Sequence, residues 1–237
     1  MEESLSADMQ LQRSSRAPEE VAARIAAWLA EQVGNPVTAE VVGGVNANGL
    51  SSDTLVLDAA WAGGGGRFVT RAAPTVADVP VFPVYRLGHQ SEVMRLVGEL
   101  SDVPVPEIAY VDLEGRALGT PLFLMQYVEG VVPPDVLPYN FGDNWFADAS
   151  LDQQRCLQEE TIGVIAALHG IPDATETFGF LVEGQQGSAG SPEQHLGRVR
   201  AWYEFAAAGV GRSPWWSVVW PGWPSTRRRW PVPTRPC

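Results

Sequence analysis

The side chains able to do chemistry are few, and they suit the holding of phosphate rather than its chemistry. A serine pair, Ser51-Ser52, follows the turn-forming run Asn46-Ala47-Asn48-Gly49-Leu50. Arg71 ends the run Phe68-Val69-Thr70-Arg71, and Glu92 lies in Ser91-Glu92-Val93-Met94-Arg95-Leu96. Glycine and asparagine permit a tight turn, serine hydroxyls donate hydrogen bonds, and a guanidinium forks onto phosphate oxygens. Taken singly, each has a plainer reading: a hairpin turn, a solvent-facing strand arginine, a solvated helix glutamate. The two cysteines, Cys156 and Cys237, form neither a disulfide framework nor a CxxC metal site. No catalytic residue and no metal ligand is assigned.

Elements must carry these residues in a useful order. Pro18 to Val33 has a helix pattern, with Pro18 in the first turn, Val21, Ile25, Trp28 and Leu29 in one stripe, and Gly34 at the end. The period then shortens. Val37–Val45, Thr54–Trp61 and Arg67–Arg71 are expected as strands, joined by the Asn46–Gly49 turn and by Gly63–Gly66. A Pro-containing loop over 74–88 precedes a helix over His89–Leu100, with Val93, Leu96, Val97 and Leu100 on one face. Ile108–Asp112 and Leu122–Val128 are expected as two more strands. A long helix over Leu151–Leu168 ends at His169-Gly170, a flexible stretch covers 183–191, and a last amphipathic helix carries Leu196, Val199, Trp202 and Phe205. A small sheet lobe with one helix followed by helices only is α+β.

In a nucleotide-phosphate enzyme this order has a use. The turn between the first two strands covers phosphates, a cation on the third strand holds them, and a carboxylate on the next helix pairs with that cation. The fifth strand then runs into a hinge that meets adenine. The ordered set resembles the aminoglycoside phosphotransferase family, a kinase-like group that includes choline and homoserine kinases. The resemblance covers roughly 36–214 and also rests on Asp78-Val79-Pro80-Val81-Phe82-Pro83, Val103-Pro104-Val105-Pro106, Pro133-Pro134-Asp135, Phe141-Gly142-Asp143-Asn144-Trp145 and Ala201-Trp202-Tyr203-Glu204.

The resemblance implies a protein-kinase-like fold, with a five-stranded antiparallel small lobe and one helix, then an incomplete helical lobe. It implies ATP and Mg²⁺ as cofactors and a small-molecule hydroxyl as acceptor. Ser51 and Ser52 would face the phosphates, Arg71 would stand where most members carry lysine, and Glu92 would be its ion-pair partner. Met125 would pack beside adenine, and Gln126 and Val128 would offer it backbone groups. The family's base is the Asp of a His-Gly-Asp loop, and a later Asp holds metal. Here His89, His169 and His195 are followed by Gln-Ser, Gly-Ile and Leu-Gly, so none carries that Asp, and no Ile/Leu-Asp-Trp/Phe segment occurs. The chain is therefore expected to lack transfer activity. The alternative is a non-catalytic nucleotide-binding or interaction module.

The last stretch differs from the rest. Residues 211–237 hold no acid, five arginines, six prolines and five of the nine tryptophans. Synonymous codons for Trp215–Thr226, read one base earlier after a C, encode Leu-Val-Glu-Arg-Gly-Leu-Ala-Trp-Leu-Ala-Glu-His, an amphipathic helix of mixed charge. A frame change just after Arg212-Ser213-Pro214 is the expectation. The division expected is an unstructured 1–17, a small lobe over 18–126, a partial helical lobe over 127–210 and an out-of-frame tail over 211–237.

All 16 basic residues are arginine, and with the five of the tail set aside, eleven face 28 acids, a net charge of -17 over residues 1–210. So acidic a body argues against nucleic acid as partner. No apolar run approaches the roughly 18 residues of a membrane helix, and Glu2, Glu3 and Asp8 do not fit a signal peptide. No membrane partner and a cytoplasmic location are expected.

Overall fold

The computed structural model describes residues 16–44, 52–75, 78, 80–131, 142, 144–182 and 192–208. Ser51, the expected flexible stretch 183–191 and the tail over 211–237 lie outside the described residues. The chain divides into two compact units, Met1–Gln185 and Gln186–Cys237.

The first unit opens with α1 (Pro18–Val33), which starts and stops where the sequence predicts. Pro18 fits the first turn because its missing N–H has no intrahelical partner there anyway. Gly34 closes the helix with φ +69°, donating its N–H to the Ala30 carbonyl, a left-handed cap that costs glycine little. Ile25 and Leu29 on the inward stripe are fully buried, each stabilising by about 1.5–3 kcal/mol.

Five strands follow: β1 (Val37–Gly44), β2 (Asp53–Trp61), β3 (Gly64–Ala72), β4 (Ile108–Asp112) and β5 (Leu122–Gln126). They form one sheet of order β1-β2-β3-β5-β4, and every pairing is antiparallel. α2 (Leu87–Leu100) connects β3 to β4. The fold is α+β, and the expected chain order of three strands, one helix and two further strands is observed.

Several boundaries differ from expectation, among them the end of β5, which lies at Gln126 and not at Val128. Gly63–Gly66 was expected as the β2–β3 connection, but Gly64, Gly65 and Gly66 belong to β3, and Trp61 pairs with Gly64. The Trp61 indole lies where a Cβ on Gly64 would stand, 2.6 Å from its Nε1. The glycines therefore make room for a cross-strand tryptophan as well as for a turn. α2 also starts two residues before His89, because Leu87, only 1% exposed, packs with Ala73 and Phe123.

Strand alternation separates two faces. Leu57, Ala59, Phe68, Ala72, Leu122 and Leu124 pack against Val21, Ile25, Trp28 and Leu29 of α1. Tyr110 meets Trp28 and Phe68 edge-on, with ring centroids 6.2 and 6.1 Å away, a favoured aromatic geometry. On the opposite face Phe123, Ile108 and Met125 meet Leu87, Tyr85 and Met94.

α3 (Leu151–His169) begins with a capping box between Ser150 and Gln153. Gly170 ends it by donating its N–H to the Ala166 and Ala167 carbonyls. None of its residues is fully buried, but Val164 and Ala167 pack against the buried cluster of Val97, Val103 and Ile171. α4 (Ala174–Thr177) and a 3-10 turn, Gly179–Leu181, follow; the sequence gives no periodic signal for elements this short. The second unit contains α5 (Pro192–Ala207), which carries the amphipathic residues Leu196, Val199, Trp202 and Phe205.

Candidate functional site

β3 presents two arginines on the face turned away from α1. Cross-strand pairing sets Arg67 opposite Asp58, and Arg71 opposite Thr54 on one side and Phe123 on the other. Their surroundings differ. Arg67 is already neutralised: its Nε and Nη2 donate to the two Asp58 carboxylate oxygens at 2.7 and 2.8 Å. The same hydrogen bonds hold the Asp58 carboxyl below the usual carboxylate range. Arg67 also lies over the Tyr127 ring, 5.6 Å from its centroid, a cation–π contact. Sequence reading did not single out Arg67 or Asp58; an arginine and an aspartate in neighbouring strands were the available signal.

Arg71 makes a different contact. It is half-buried, and its Nε donates to the Ser52 hydroxyl at 3.0 Å. Among the described residues it forms no ion pair. Both Nη groups remain to donate, and Ser52, accepting from Arg71, keeps its own proton to give. A guanidinium fork beside a hydroxyl is a fitting receptor for a phosphate.

Glu92 does not serve as the expected partner of Arg71. Its carboxylate bonds Arg95 on the same helix, at 2.6 and 2.9 Å, and Arg95 also reaches Glu99 at 2.6 Å. The hydrogen bond from Arg95 holds the Glu92 carboxyl below its usual range. An arginine three residues along a helix is within reach without any tertiary arrangement, so it competes well with one on a separate strand. Among the described residues no ion pair joins Glu92 to Arg71.

The hinge residues lie where β5 leaves the sheet. Met125 is half-buried on the Arg71 face, directly opposite Val69, so the two form an apolar neighbour to Arg71. Gln126 and Val128 are exposed. The Gln126 N–H is already given to the Glu107 carbonyl at 2.8 Å, and the Tyr127 N–H to the Arg67 carbonyl at 3.0 Å. Among the described residues the Val128 N–H has no such acceptor. Of the backbone groups expected from Gln126, the donor is occupied.

Two of the motifs on which the resemblance rests have structural roles within the described residues. Asp78 accepts from the Thr75 N–H and hydroxyl, and the Tyr85 hydroxyl accepts from the N–H groups of Val81 and Phe82. Asn144 accepts from the N–H groups of Phe146 and Ala147. His89 sits edge-on to Phe180 at 5.3 Å, a packing position, and His169 is the last residue of α3. Among the described residues no group of three or more His, Cys, Asp or Glu side chains is arranged to hold a metal ion. No helix of the described residues is long and apolar enough to cross a membrane.

No family model matches the chain. Among solved structures, a protein of Ralstonia eutropha JMP134 described as a "putative aminoglycoside phosphotransferase" is similar at 17% identity with a TM-score of 0.47. The match covers 78% of this chain and 48% of that one, so this chain spans about half the length of the protein it matches.

Proposed function

We propose that this chain binds a nucleoside triphosphate through its small lobe, as a relative of kinases acting on small-molecule hydroxyls, and that the polypeptide of this sequence does not transfer the phosphate. The observation that carries the reading is Arg71: a strand cation without a carboxylate partner among the described residues, bonded instead to Ser52. In this reading the two Nη groups and the Ser52 hydroxyl bind phosphate oxygens. Met125 and Val69 lie under the base, and the Val128 N–H meets its edge. Ser51 would add a second hydroxyl. Glu92 would have to exchange Arg95 for Arg71 before taking the role the resemblance implies.

Transfer needs more than binding. A carboxylate must take the acceptor hydroxyl's proton, and cations must offset charge on the moving phosphoryl group. No histidine here leads into the Asp of such a loop, and the described residues supply no carboxylate cluster for a metal. Mg²⁺ enters only as the ion that the nucleotide itself carries. The second reading, a nucleotide-binding module working through interaction alone, is favoured by the Arg71–Ser52 contact together with a sequence that holds no His-Gly-Asp loop. Calorimetry with Mg-ATP beside a turnover assay tests the proposal. Binding without turnover is expected; absence of binding refutes the nucleotide reading, and turnover refutes the inactivity.

A further inference from the structure

The chain at Ser52 is held from both faces of the sheet, and one of the two holds is buried. Asp53, which opens β2, carries its carboxylate on the α1 side, where Arg16 Nη1 meets Oδ2 at 2.7 Å. The two side chains are 9% and 7% exposed. Arg16 also donates to the Ala73 carbonyl from Nη1 and Nη2, at 3.2 and 3.3 Å, and to the Thr120 hydroxyl from Nη2. Thr120 donates in turn to the Ala73 carbonyl at 3.0 Å, and the Ala73 N–H donates to the Pro121 carbonyl at 2.9 Å. One guanidinium thus ties the start of β2, the residue after β3 and the turn before β5.

Stability is a poor reason for such a pair. Desolvating two charges cancels much of their attraction, and an apolar pair of similar volume generally does as well or better. What a buried pair with several directed bonds supplies is position. The positions fixed here are Asp53, next in chain to Ser52, and Ala73, two residues beyond Arg71. These are the two ends of the Arg71–Ser52 contact.

We propose that Arg16 and Asp53 are positioning residues for the nucleotide site: from the far face of the sheet they lock the two chain segments that bring the Ser52 hydroxyl to Arg71. Neither touches the ligand. The inference rests on the nucleotide reading of Arg71 given above.

The test uses the full chain and Mg-ATP. Replacing the pair together, R16M with D53L, removes both buried charges and leaves the melting temperature near that of the unmodified protein. Its Kd for Mg-ATP is expected to rise about tenfold, the equivalent of roughly one displaced hydrogen bond. Leu29→Ala, in the buried stripe of α1, is the control: it lowers the melting temperature and leaves Kd unchanged. Arg16→Lys keeps the charge, loses the fork, and is expected to weaken binding by a smaller factor; it carries the test if the double variant does not fold. Unchanged binding in the folded double variant, or in Arg16→Lys, overturns the proposal alone. So does a Kd that follows the melting temperature through all variants. Absence of Mg-ATP binding by the unmodified chain overturns the nucleotide reading and this inference with it.

Discussion

Thr70→Val is expected to stabilise the protein. Thr70 lies on the α1 side of β3, opposite Leu55 and Leu124, and is 1% exposed. Among the described residues its hydroxyl has no hydrogen-bond partner. The gap beside it, lined by Arg16, Val21, Asp53, Leu55, Ala72 and Leu118, is too narrow for a water molecule to satisfy it. An unmet buried hydroxyl costs about 1–3 kcal/mol. Valine keeps the β-branched shape that suits a strand and replaces the hydroxyl with a methyl, worth up to about 0.8 kcal/mol when buried. Against this stands the lost polarity near the Arg16–Asp53 pair, so the lower end of the range applies: a gain of about 1 kcal/mol. Urea unfolding is the assay, with the midpoint rising and the slope unchanged. The melting temperature should rise by about 2–4 °C for a chain of this size. A loss of about 1 kcal/mol or more would show that the hydroxyl is bonded in the native protein and refute this assignment.

Two further outcomes follow from the geometry. Gly65 has φ +142°, and a Cβ there would lie 2.6 Å from the Ala59 carbonyl oxygen; Gly65→Ala should destabilise by about 1–3 kcal/mol, measured by the same unfolding curves. Glu92 should titrate below the ordinary glutamate value of 4.5, because of its hydrogen bond from Arg95. A carboxyl whose folded pKa is depressed contributes stability that is present above its unfolded pKa and lost as pH falls through the folded one, so the Glu92–Arg95 contribution disappears below the ordinary carboxylate range. NMR titration of the Glu92 carboxyl in the unmodified protein and in Arg95→Ala checks this, with the midpoint moving up in the variant; an unmoved midpoint would mean that Arg95 is not the cause.

The sheet and its first helix were legible because their signals are local. Pro18 and Gly34 bound α1 by backbone chemistry alone, and the strands of the meander alternate as half-buried strands must. The glycine run misled for a side-chain reason: Gly64 is needed beneath the Trp61 indole, which periodicity does not reveal. The site was legible only as an order of residue types. Sequence order named Arg71 and Glu92, but not that Arg95 on the same helix would claim Glu92. Nor did it show that Arg67, the other arginine of β3, is neutralised by Asp58, which depends on strand register. Arg16 and Asp53 stand 37 residues apart, with no pattern linking them, and Arg16 belongs to the stretch 1–17 expected to lack structure. Long-range pairs of this kind come from the tertiary arrangement.

The central claim is that Arg71 is the phosphate-holding cation of a nucleotide site. Mg-ATP binding by calorimetry to the unmodified chain and to Arg71→Ala, with melting curves for both, tests it most directly. Losing a charge-assisted hydrogen-bond donor of about 1.5–3 kcal/mol should weaken binding about 10- to 100-fold, with little change in melting temperature because Arg71 forms no ion pair among the described residues. Equal affinity in the two proteins, or no binding by the unmodified chain, would contradict the account.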